Sequence, residues 1–79
     1  MMIVSMKKRV SNNLNLALGA ASEAILAIMA VKTCLDSNVV GEAVSPTRKL
    51  QDIVGRLKRA TDDSFSAVSE CAAKLRGKQ

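Results

Sequence analysis

Between Val10 and Leu35 this chain carries only two charged residues, Glu23 and Lys32, on a stretch whose apolar side chains do not keep to one stripe. From Leu14 to Val31 the run is dominated by Leu, Ile, Met and Ala, with no proline and with Gly19 the one poor helix former among strong ones. Such a segment predicts a helix that is apolar nearly all round. A helix of that kind cannot be solvated on any side, so a single neighbour in the same chain leaves part of it uncovered. Leu14, Leu18, Ile25 and Met29 supply bulk, while Ala17, Ala20, Ala21, Ala24, Ala27 and Ala30 allow another helix to come close.

A second helix follows. In it Leu50, Val54, Leu57, Thr61, Ser64, Val68, Cys71 and Leu75 recur at alternating steps of four and three, with Ile53, Ala60 and Ala67 widening the stripe. Its other face mixes both charge signs, from Arg48 and Lys49 through Asp52, Arg56, Lys58, Arg59, Asp62 and Asp63 to Glu70 and Lys74. The only strong punctuation lies between the two. Asp36-Ser37-Asn38 and Gly41 are helix-ending and turn residues, and Ser45-Pro46 reads as an N-cap followed by a first-turn proline. The expected fold is all-α: one helical-hairpin domain over residues 1–79, with a helix over about 11–35, a connection over about 36–45 and a helix over about 46–76. Residues before Val10 extend the first helix or fray.

A chain of 79 residues buries too little on its own for a generous core. The expectation is a homo-oligomer, a dimeric four-helix bundle first of all, with the first helices at its centre. The oligomer interface is expected to use Leu14, Leu18, Ala21, Ile25, Ile28 and Leu35 from the first helix. Leu50, Val54, Leu57, Val68 and Leu75 are expected from the second. Glu23 would then be an acid at a helix interface, paired with a basic residue.

Chemistry is excluded more firmly than assembly is implied. There is no His, Trp or Tyr, one Phe and two Cys, so no nucleophile can be paired with an imidazole base. No spacing of ligands suits a metal and no glycine loop suits a phosphate, so no enzyme activity, cofactor or metal is expected. Cys34 and Cys71 fall late in successive antiparallel helices, at opposite ends of the hairpin, which rules against a bridge between them and fits a reducing, cytoplasmic setting.

Met6-Lys7-Lys8-Arg9 ahead of an apolar stretch also resembles the start of a signal or membrane span. Asn12, Asn13, Asn15 and Glu23 interrupt the apolar run, and a membrane-inserted hairpin is kept as an alternative.

The net charge is +5, and a hairpin turning near Gly41 would set both termini side by side. Lys7, Lys8 and Arg9 would then stand beside Lys74, Arg76 and Lys78, a basic patch for an acidic protein surface or for phosphates. With no aromatic platform, base-specific reading of single strands is not expected. The functional expectation is a small regulator, adaptor or inhibitor of bacterial or phage type that binds itself and a protein partner. DNA or RNA bound through phosphates is the alternative.

The segment Leu14-Asn15-Leu16-Ala17-Leu18-Gly19-Ala20-Ala21-Ser22-Glu23, running on to Lys32, resembles the opening of the third helix in the four-helix-bundle proteins encoded in ribosomal RNA intervening sequences. The resemblance covers about 19 residues and the second half of that fold only. It implies a basic homo-oligomeric barrel, a type that includes retroelement accessory proteins, some of which bind nucleic acid and a reverse transcriptase.

Overall fold

The computed structural model describes residues 2–77, and these form two long antiparallel helices joined by a short turn. Helix α1 spans Met2–Asp36, a 3₁₀ turn covers Val40–Ala43, and helix α2 spans Val44–Gly77. The hairpin is a rod of 61 × 16 × 14 Å with a radius of gyration of 17.9 Å. A compact chain of this length would have a radius near 12 Å.

Helix α1 begins well before the expected Ser11. Met2 to Arg9 contains no helix breaker, and Met2, Met6 and Val10 are half-buried, so packing on the end of α2 holds the first turns. Its other end closes on Asn38, whose φ of 60° is the left-handed conformation that Asn tolerates better than most residues. The Val39 amide donates to the Cys34 carbonyl at 2.9 Å and the Asn38 amide to the Leu35 carbonyl at 3.1 Å. This paired closure satisfies two of the helix's final carbonyls and turns the chain back.

Helix α2 starts at Val44, so Ser45 and Pro46 lie inside its first turn instead of capping it. The reason is the 3₁₀ turn, which feeds straight into the helix through the Val44 amide bonded to the Gly41 carbonyl. Pro46 is tolerated there because first-turn amides have no partner within the helix.

The two helices pack along a seam with a seven-residue repeat. In α1 the inward positions are Met6, Val10, Asn13, Ala17, Ala20, Ala24, Ala27, Val31 and Cys34. In α2 they are Leu50, Ile53, Leu57, Ala60, Ser64, Ala67 and Cys71. The centre is Ala20, Ala27 and Ile53, with Ala24, Leu50 and Leu57 packed on them. Alanines bring the backbones together, and Ile53 is the one large side chain with no exposure among the described residues.

This seam corrects the sequence reading. Ile53, Ala60 and Ala67 form its middle, whereas Val54, Thr61, Val68 and Leu75 lie one position outward and are exposed. Both rows obey the same repeat; Ala60 and Ala67 take the inner row where the helices come close, and Ile53 fits there because it faces Ala20, Ala24 and Ala27 of α1. Ser64 fits the seam because its buried hydroxyl donates to the Ala60 carbonyl at 2.8 Å.

Candidate interaction surface

The hairpin has two unlike sides. One side is tied by ion pairs: Arg9 Nε donates to Asp63 at 2.9 Å, a second Arg9 nitrogen reaches its other oxygen, and Asn13 also donates to Asp63. Farther along, Arg56 and Glu23 pair at 3.0 Å. These contacts link α1 to α2 across the seam, and they hold Glu23 beside a base of the same chain. The hydrogen bonds from Arg9 and Asn13, with the Arg9 charge, pull the Asp63 carboxyl down to about 2.

The other side is apolar. Leu14, Ala17, Leu18 and Ala21 of α1 line a shallow groove with Leu57 of α2, and every lining residue is apolar. Toward the turn the same side runs through Val31, Leu35, Val40, Ala43 and Val44 beside Thr47, Arg48 and Gln51. Steps of seven from Thr47 carry it along α2 through Val54, Thr61, Val68 and Leu75. Leu18 is 68% exposed and Ile25 59%, so a row of large apolar side chains stands in solvent when the chain is alone.

Of the eleven residues expected at an oligomer interface, Ala21, Leu50 and Leu57 are half-buried within the hairpin, and the other eight are exposed. The structure brings Leu14, Leu18, Ala21 and Leu57 together in one groove. Residues that the periodicity did not single out also emerge. Phe65, the only aromatic residue, is 75% exposed at the edge of the apolar side, between Thr61 and Val68. Leu16 and Leu26 are exposed on the opposite flank of α1. Phe65 could have been found from its spacing of four from Thr61 and three to Val68, one position outside the expected stripe.

The basic end assembles only in part. Lys74 and Arg9 do line one groove at the end where the termini meet, with Met2, Ser5 and Met6. Arg9, however, is engaged by Asp63, and its charge serves the hairpin. Lys7, Lys8, Lys74 and Arg76 are exposed and make no ion pair among the described residues, whereas Lys78 lies outside them. Cys34 and Cys71 are both free thiols, Cys34 near the turn and Cys71 buried near the termini.

No cluster of three or more His, Cys, Asp or Glu that could hold a metal occurs among the described residues. By length and composition α1 could cross a membrane. No protein-family model, curated protein or solved structure matches the chain.

Proposed function

We propose that this protein is a non-enzymatic interaction module that self-associates through its apolar side and docks an acidic polypeptide at its terminal half. The carrying observation is the row of large apolar side chains along one side, built by both helices and left open by the fold. The ion-paired side and the apolar side divide the work: one holds the hairpin, the other offers a contact. For the partner, Phe65 is an aromatic anchor in the same half as Lys7, Lys8, Lys74 and Arg76, a combination suited to an acidic surface with an apolar pocket.

The test is gentle affinity purification from the protein's own cells followed by native mass spectrometry, comparing the natural chain with Phe65→Ala and with Lys7→Glu/Lys74→Glu. A stoichiometric complex with one acidic polypeptide, weakened by both variants, supports the reading. A chain that returns alone in every case overturns the partner.

The basic side chains at the terminal end, Lys7, Lys8, Lys74 and Arg76, favour one second reading, an oligomer that gathers nucleic-acid phosphates. It predicts binding to any duplex or single strand, with the logarithm of the affinity falling linearly with log salt. The resemblance of residues 14–32 to the intervening-sequence proteins supports this second reading.

A further inference from the structure

The apolar row on α1 is close to a palindrome. Around Ala21 as centre, Leu14 and Ile28 stand seven residues to either side, and Leu18 and Ile25 stand three before and four after. A contact between two identical surfaces across a two-fold axis requires this property: if position i meets position j, then j meets i. An antiparallel pair of α1 helices crossing at Ala21 sets Leu14 against Ile28 and Leu18 against Ile25, twice over, with the small residue where the helices come closest.

The groove beside this row has the form such a contact needs. Leu14, Ala17, Leu18 and Ala21 are residues i, i+3, i+4 and i+7, the four that make a hole for one knob of a facing helix. In the antiparallel register that knob is Ile25 of the other copy. Two further observations select a second copy as the occupant and set its direction. The hairpin exposes 6035 Å², against about 4,600 Å² for a compact protein of 8.4 kDa, an excess of roughly 1,400 Å² where a specific interface takes about 800 Å² from each partner. In addition, divided at the level of Ala21 and Leu57, which share the groove, the terminal part (residues 2–20 and 57–77) carries seven Lys and Arg against three Asp and Glu, while the turn part (residues 21–56) is balanced at four of each. Antiparallel stacking lays each basic half over a neutral one; parallel stacking would superpose the two basic halves.

We infer that the apolar side is covered by a second copy of this chain in an antiparallel four-helix bundle, with α1 crossing its own counterpart at Ala21 and each Ile25 seated in the other copy's Leu14–Ala21 groove. This rests on the self-association proposed above and adds its geometry.

The direct test is cysteine cross-linking in a Cys34→Ser/Cys71→Ala background. Ala21→Cys lies on the axis, within the separation of about 7 Å that a disulfide tolerates, and should cross-link about tenfold faster than Met29→Cys on the outer surface. A complementation test leaves the natural cysteines untouched. Ile25→Lys and Leu18→Asp should each abolish the dimer alone, and mixing the two should restore a one-to-one heterodimer in native mass spectrometry. Cross-linking at Ala21 together with rescue on mixing supports the bundle. A native-mass dimer that neither cross-links at Ala21 nor is rescued overturns the antiparallel geometry, and a folded monomer at micromolar concentration overturns the second copy. Because these experiments use the purified chain alone, their failure leaves the acidic-partner docking to be judged separately, and that docking can fail while the bundle stands.

Discussion

Asp63 shows how one residue ties distant parts of a simple fold. It receives hydrogen bonds from Arg9 and Asn13, both some fifty positions away, and its carboxyl is held near 2 instead of the usual 3.8. A carboxyl whose folded value is depressed favours the folded state above its unfolded value, and that contribution disappears as pH falls through the folded one. The natural chain should therefore melt higher than Asp63→Asn at neutral pH, and the difference should shrink between about pH 4 and pH 2, followed by circular dichroism at 222 nm. A constant difference over that range would contradict the assignment. Ile53 carries the opposite kind of weight. As the one fully buried large side chain, it should cost about 2–5 kcal/mol when cut to Ala and about 0.5–1.5 kcal/mol when cut to Val, measured by urea unfolding.

At the scale of elements, the turn is built from backbone geometry more than from side-chain caps. Asn38 sits at φ 60°, where a β-branched residue is strained by about 1–2 kcal/mol and glycine is not strained. Asn38→Gly should leave the melting temperature unchanged or slightly raised, whereas Asn38→Val should lower it in the same scan. The helices themselves are legible from composition, because neither has a proline beyond its first turn and Gly19 and Gly55 stand singly among strong helix formers. Their ends were less legible for identifiable reasons: whether the residues before Val10 extend α1 or fray is decided by packing on α2, and Ser45-Pro46 reads as a cap when the 3₁₀ turn ahead of it is not known.

For the whole molecule, the decisive quantity is surface. A two-helix rod of 61 Å with an alanine seam keeps its large apolar residues outside, so its folding and its association are expected to be one process. Melting temperature should then rise with protein concentration, and Ile25→Asp should give either an 8.4-kDa species or an unfolded chain. A variant that stays helical at the natural oligomeric mass would refute the claim that this side is an interface. With neither Trp nor Tyr in the sequence, concentrations for these experiments have to come from refractive index or mass rather than absorbance at 280 nm.

The sequence by itself determined the all-α hairpin, the place of the turn and the absence of histidine-based chemistry, because these follow from local propensity, spacing and residue inventory. It also marked Leu14, Leu18, Ile25 and Ile28 as side chains needing cover. Only the tertiary structure decided which of two adjacent rows on α2 faces α1. Ile53, Ala60 and Ala67 differ from Val54, Thr61 and Val68 by one helical step, a rotation of about 100°, and periodicity cannot separate rows that share a repeat. Packing can, since the alanines of α1 leave room for Ile53 at one level and allow close approach to Ala60 and Ala67 at the others. The charges divide in the same way. Arg9 and Lys8 are neighbours in sequence, yet their roles part because Asp63 lies within reach of Arg9, a fact that exists only once the helices are side by side.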